Sequence, residues 1–434
     1  MPYQPVNVVE VRCWGTRVGA VALDDRTGFY VFEYEPAWAD RHIELAPSTM
    51  PTRGSARTFV FPTLPANTFY RLPALLADSL PDDFGNALTN AYLANQGVRP
   101  GDITPLDRLA YLGERGLGAL EFRPSRGPLT RRATAIELGE LVVAARGTIA
   151  GSITSEPEIT DALSHLIAVG TSAGGARAKA VVALNPATGE LRSGQLPVDA
   201  GFEHWLLKLD GVGADLDLGA SADYGRIEFA YSEMAKSAGI EMTDCRLLQE
   251  GGRAHFMTRR FDRPADGSKV HVQTLCALAQ LDFRLKSTHD YAQLFLQIEQ
   301  LGMGPAERAQ AFTRMVFNVA AANCDDHTKN FSFTLPPAGD WQLAPAYDIT
   351  HAHATTSEWT HQHLMAVNGH HAGITGADVA EVGDRFAVPG ASTIVEQVLN
   401  AVGKWPQLAA DAGVSQTNTE QVARDIEKWS APLR

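Results

Sequence analysis

Residues Asn323 to Phe331 read Asn-Cys-Asp-Asp-His-Thr-Lys-Asn-Phe, and Pro345-Ala346-Tyr347-Asp348-Ile349 follows shortly after. The order is an acid, an amide five residues on, and a second acid beyond a gap long enough for one hairpin. Phosphoryl transfer from ATP needs little more from a protein. One carboxylate must accept the proton of the attacking hydroxyl, while an amide oxygen and a second carboxylate hold Mg²⁺ against the phosphates. Mg²⁺ is a hard cation that takes much of its shell from water and nucleotide, so two protein oxygens suffice. Asp325 is therefore read as the base, and Asn330 and Asp348 as the Mg²⁺ ligands.

Asp326 is the rival for the base. The gap to Asn330 favours Asp325, since protein-kinase catalytic loops space their Asp and Asn in the same way. His327 lies between them and can orient Asp325, contact phosphate or hold the turn. The bland alternative is an acid-rich turn capping the next element, and three parts in order outweigh it. Upstream, Lys208 ends an apolar strand and precedes a helix that carries Glu228. A strand lysine on the phosphates, held by a helix glutamate, is the recurring kinase pair. Alone, such a lysine is an edge or snorkelling residue. The glycine-rich run 170–179 comes earlier still. Its glycines let backbone N–H groups approach phosphate oxygens, and Arg177 or Lys179 adds charge, although the run is no P-loop. Six histidines crowd into 351–371. Their spacing matches no closed four-ligand zinc pattern and no thiolate is near, so they are expected to line a polar segment beside the cleft.

These residues need elements to hold them. Alternation predicts strands over 8–21 and 28–34 around the turn 24–28. The acids near 78–83 can cap a helix over 84–95, and a second helix over 106–112 stops at Gly113. The proline- and arginine-bearing 124–132 reads as a linker. Helices are expected over 136–145 and 159–169, strands over 180–184 and 205–209, and a helix over 226–238 closed by Gly239. Residues 245–249 and 254–261 read as a hairpin. From 274 onward helices dominate, at 274–281, 291–301, 305–322, 377–386, 393–402 and 419–429. A hairpin of 331–335 with 341–344 returns Asp348 towards Asn330.

The bulk numbers fit this reading. A chain of 434 residues can build two or three cores, and 45% hydrophobic with 20% charged residues is ordinary for a globular protein. No apolar run is long enough to span a bilayer and no signal peptide is evident at the start, so the cytoplasm is the expected compartment. The four cysteines lie far apart with no C-x-x-C and suggest free thiols. A net charge of −13 argues against a surface built for nucleic acid and assigns any DNA contact to a partner.

Leu75-Leu76-Ala77-Asp78-Ser79-Leu80-Pro81-Asp82, Ser172 to Lys179, Arg260-Phe261-Asp262-Arg263, Asp325 to Ser332 and Ala346-Tyr347-Asp348 together resemble the HipA family. These are serine/threonine-kinase toxins of bacterial type II toxin–antitoxin systems, and the likeness spans nearly the whole chain. It implies an α+β, two-lobed fold: an N-terminal module (1–125), a kinase N-lobe (126–262) and a helical C-lobe (263–434). It implies ATP contacts at Gly174, Gly175, Ala176, Arg177, Ala178, Lys179 and Lys208, adenine-side contacts at Arg259, Arg260 and Phe261, and further contacts at His327, Lys329 and Asn330. It also implies autophosphorylation at Ser172, with Thr171 beside it as the alternative, and a switch in which the new phosphate ejects the loop. Arg259 stands where the family commonly has an acid. The family's known target is glutamyl-tRNA synthetase, and its partner is HipB, a helix-turn-helix antitoxin that binds operator DNA. The expectation is thus an ATP- and Mg²⁺-dependent protein kinase with a HipB-like partner. A small-molecule kinase of the aminoglycoside or homoserine type and a kinase-dead corepressor are the alternatives.

Overall fold

The computed structural model describes residues 3–81, 83–94, 96–127, 178–195, 198–210, 223–250 and 253–434. The helices expected over 136–145 and 159–169 lie outside these, as do Thr171, Ser172, Gly174, Gly175, Ala176 and Arg177. The protein is α+β, and its contacts divide it into two compact units. Unit 1 comprises residues 1–213, 259–273 and 334–339; unit 2 comprises 214–258, 274–333 and 340–434.

Unit 1 opens with an antiparallel sheet of β1 (Val8–Cys13), β2 (Thr16–Asp24), β3 (Phe29–Tyr34), β4 (Thr58–Phe59) and β5 (Leu120–Arg123), in the order β4-β3-β2-β1-β5. The single strand expected over 8–21 is in fact a hairpin. Trp14 (φ 48°) and Gly15 (φ 72°) are both left-handed, as a two-residue turn between right-twisted strands requires. Val9, Val11 and Cys13 alternate inward and are fully buried. The helix Asp83–Ala94 falls within a residue of its expected bounds, and Pro105–Leu112 starts at a capping box between Thr104 and Asp107. A second antiparallel ladder pairs β6 (Lys179–Leu184) with β7 (Leu191–Ser193) and β8 (Glu203–Lys208).

Unit 2 is mainly helical. Helices α1 (Tyr224–Ser237), α2 (Tyr291–Gln300), α3 (Pro305–Ala320), α4 (Gly376–Arg385), α5 (Ala391–Val402), α6 (Trp405–Ala412) and α7 (Gln416–Ser430) share one apolar core. Tyr231 of α1 lies edge-on to Trp405 of α6, and Phe295 of α2 stacks on Phe386. Helix α6 is absent from the sequence expectation because Gly403 and Pro406 look like breakers. Proline in a helix's first turn instead starts it, since its missing N–H would have had no partner there. The helix expected over 274–281 is only Leu275–Leu278. Thr274 caps it, and Gln280 turns left-handed (φ 55°) just past its end. Among the described residues no helix is long and apolar enough to cross a membrane.

Candidate active site

Helix α3 delivers the acidic loop. Its end is fixed by Tyr231, whose hydroxyl donates to the Ala321 carbonyl at 2.6 Å, and by the left-handed Ala322 (φ 53°). Beyond it runs a buried polar chain. The Asn323 side-chain amide donates to the Asn318 side chain (2.9 Å), Asn318 donates to the Tyr291 hydroxyl (2.9 Å), and Tyr291 donates to Asp326 Oδ2 (2.8 Å). Asp326 also accepts from His363 Nδ1 (2.9 Å) and the Leu364 amide (2.8 Å), and its side chain is wholly buried. Burial opposes charge on His363, but Cys324 and Asp326 beside it outweigh that and push its pKa up to about 10. Asp326 is thus occupied in holding the loop.

Asp325 differs in every respect. Of its side chain 38% is open, and Oδ1 accepts from the Trp359 indole N–H at 3.1 Å, with His327 Nε2 at 3.7 Å. Desolvation by the surrounding protein raises its pKa, His327 pulls it back, and the charge of Asp348 pushes it up again. That influence places the two carboxylates in one electrostatic neighbourhood. Asn330 joins them: its side-chain N–H₂ donates to the Asp325 carbonyl at 2.7 Å, which turns the amide oxygen the other way. Lys329 Nζ lies 4.9 Å from the Phe283 ring centroid, and His327 packs on the same ring.

The expected return hairpin is present: Gln342–Leu343 lies back along the chain, and the Ala344 amide donates to the Ser332 carbonyl at 2.9 Å. Tyr347 donates to the Lys329 carbonyl at 2.7 Å, tying the second acid's segment to the first loop. Asp348 is left-handed (φ 53°), a conformation that Asp and Asn tolerate better than most residues. The Asn330 amide oxygen and the Asp348 carboxylate are oxygen donors of the type Mg²⁺ accepts.

The upstream residues fall in both units. In unit 1, Lys179 and Lys208 are directly opposite each other on β6 and β8, Lys179 is buried, and the Ala178 carbonyl accepts from the Leu209 amide at 2.9 Å. In unit 2, Glu228 is buried on α1, where its charge adds to burial in raising the Cys245 thiol pKa. Arg259 lies 3.6 Å from Glu203. Phe261 follows as part of a turn beyond β10 (Arg253–Arg259), the second strand of the expected hairpin with β9 (Cys245–Glu250).

Arg260 plays a part that its position in the sequence concealed. Its guanidinium grips Asp262 at 2.9 and 2.6 Å, Arg263 reaches the same carboxylate at 2.7 Å, and the Gly118 amide donates to it at 2.8 Å. Arg263 also donates to the Gly116 and Gly118 carbonyls. Burial opposes the charge on Asp262, yet the two guanidiniums hold its pKa well below the usual carboxylate range. Gly118 is left-handed (φ 78°), and a Cβ there would meet the Val272 amide nitrogen at 2.9 Å. The Arg-Phe-Asp-Arg stretch therefore clamps a late segment to the amino-terminal part of unit 1, with the Arg260 guanidinium on Asp262.

The histidine-rich segment touches the site through another residue. His361 bonds the Ser357 carbonyl, His363 bonds Asp326, His370 bonds Asp378 and His371 bonds the His363 carbonyl. It is Trp359 that reaches Asp325. No spacing rule marks a lone tryptophan as a partner of a distant acid, so the sequence carried no signal for it.

Comparison with known proteins gives the family and the fold. Residues 9–123 match the HipA N-terminal domain and residues 171–428 the HipA-like C-terminal domain. A Sinorhizobium fredii protein named "Putative kinase Y4dM" is 24% identical over 173 residues, 36% of this chain. That alignment spans only 39% of the relative's length. The Shewanella oneidensis toxin–antitoxin HipA, solved with HipB and its operator DNA, superposes with a TM-score of 0.68 at 17% identity. The superposition covers 98% of this chain and 96% of that one, and shows a shared fold.

Proposed function

Because the chain belongs to the HipA family, we propose that it is a serine/threonine protein kinase that acts as the toxin of a toxin–antitoxin pair. One observation carries the reading. Asp325 is partly open, has a raised pKa and lies under the influence of Asp348, while its neighbour Asp326 is fully engaged elsewhere. Asp325 orients the substrate hydroxyl and takes its proton, and Trp359 and His327 hold the carboxylate in place. The Asn330 amide oxygen and the Asp348 carboxylate are the metal's protein ligands. Bound Mg²⁺·ATP supplies the phosphoryl group and neutralises its charge.

On the nucleotide side, Lys179 and Lys208 present two cations at one cross-strand position. Both lysines are assigned here to the ATP phosphates. Gly174, Gly175, Ala176, Arg177 and Ala178 add backbone donors and charge to the same phosphates. Arg259 and Phe261 are assigned to the adenine, Lys329 is a further ATP contact, and Glu228 takes the part of the kinase helix glutamate. The protein partner is a HipB-like antitoxin that carries the operator-DNA contact. The substrate class to test first is an aminoacyl-tRNA synthetase such as glutamyl-tRNA synthetase.

Mass spectrometry of the purified protein after incubation with ATP and Mg²⁺ tests this directly. Phosphate should appear on a protein serine or threonine, Ser172 among them. Transfer only to a small-molecule acceptor would sink the protein-kinase reading. Asp348→Asn keeps a residue that tolerates the left-handed backbone and removes one charge, so it should abolish Mg²⁺-dependent ATP turnover. Full turnover in that variant would remove the metal assignment. Ser172→Ala should keep transfer and lose self-inactivation, and phosphate found only on other residues would refute the switch.

A further inference from the structure

We propose that His351, His353 and Asp425 form a zinc site, a centre independent of the kinase reading. His351 and His353 flank Ala352, whose amide donates to the Ala322 carbonyl (3.2 Å) and whose carbonyl accepts from the Cys324 amide (3.1 Å). The segment is extended there, so side chains two apart share a face. Asp425 comes from α7. Its Oδ2 lies 2.9 Å from His351 Nε2 and its Oδ1 3.1 Å from His353 Nδ1, and the three donor atoms all lie within 4.8 Å of one another. The side chains are 15%, 3% and 10% exposed. Trp429 stands edge-on to His353 at 5.7 Å and walls the group with apolar surface.

The plain alternative is a structural clamp in which each imidazole donates one hydrogen bond to Asp425. That arrangement holds each imidazole by one hydrogen bond to the same carboxylate. The carboxylate's further partner is the Gln421 amide at 3.2 Å, which brings no charge. A divalent cation replaces both N–H protons and supplies the counter-charge. Zinc bonds of about 2.0–2.2 Å place tetrahedral donors about 3.3 Å apart, so the three donor atoms, within 4.8 Å of one another, need only small side-chain shifts to close on one ion. Two imidazoles and one carboxylate suit Zn²⁺ with a water in the fourth place, whereas Mg²⁺ prefers an all-oxygen shell. Through Ala352 the ion would brace residues 322–324, immediately before Asp325.

The test uses the full-length protein, stripped with chelator and titrated with zinc chloride in magnesium-containing buffer. One equivalent should bind, and cobalt in its place should give the intense visible absorption of a four-coordinate ion. His351→Ala and Asp425→Asn should each weaken zinc binding at least about tenfold, whereas Asp348→Asn should leave it unchanged. Absence of stoichiometric zinc, undiminished affinity in both site variants, or loss of zinc in Asp348→Asn would overturn the assignment. Should a site variant fail to fold, the cobalt spectrum of the unaltered protein decides: a weak six-coordinate spectrum overturns the site.

Discussion

Asp325→Asn is expected to lower the rate of phosphate transfer by about 10²–10⁴, the usual contribution of a positioned general base. The amide can still accept from Trp359, so the loop keeps its shape while losing its proton acceptor. The effect should appear in kcat, with the KM for ATP little changed. Stability should move the other way. Desolvation and the Asp348 charge raise the folded-state pKa of Asp325, so its ionised form costs stability above the ordinary carboxylate range. The neutral amide removes that cost, and the melting temperature of the variant should equal or exceed that of the parent. In the parent, activity should fall with decreasing pH sooner than an unperturbed carboxylate of about 3.9 would dictate. A variant that retains most of its transfer rate, or one that is inactive because it melts early, would count against the assignment.

The second large effect concerns folding. Asp262→Ala leaves Arg260 and Arg263 buried without their common carboxylate and the Gly118 amide without its acceptor. Breaking a buried ion pair by removing one partner costs about 3–5 kcal/mol. That corresponds to a fall of roughly 10 °C in melting temperature. The double change Arg260→Met with Asp262→Leu removes charges of both signs and should recover part of the loss. The pH dependence has a definite sign. The folded pKa of Asp262 is depressed, so its contribution is present above about pH 4, the unfolded value, and is lost as pH falls further. Urea denaturation of both variants and the parent checks the ordering.

The candidate acids could be singled out in the sequence because the roles proposed for them depend on spacing. An Asp–Asn gap of five residues and a second acid one hairpin away survive translation into one dimension. The choice between Asp325 and Asp326 gains its support from the structure, since it depends on Tyr291, His363 and the Leu364 amide, none of which a local pattern connects to the loop. Trp359 and the Arg260–Asp262–Gly118 clamp were hidden for the same reason: their partners lie far away along the chain. Helices with a clear apolar stripe, such as α2 and α3, were found within a few residues. Strand 8–21 and helix α6 misled because local rules weigh a glycine or proline without seeing the turn it serves.

Unit 1 takes in residues 259–273 and 334–339, well after its main stretch ends at 213. During synthesis, the clamp that joins Asp262 to Gly118 cannot close until residue 263 has left the ribosome. The unit cannot be completed before residue 339 emerges, 126 residues (339 − 213) after its main stretch. At about 5–20 residues per second that is a wait of roughly 6–25 s. The nascent amino-terminal part is therefore exposed to chaperones and proteases for that interval, and no single cut in the gene can yield unit 1 intact.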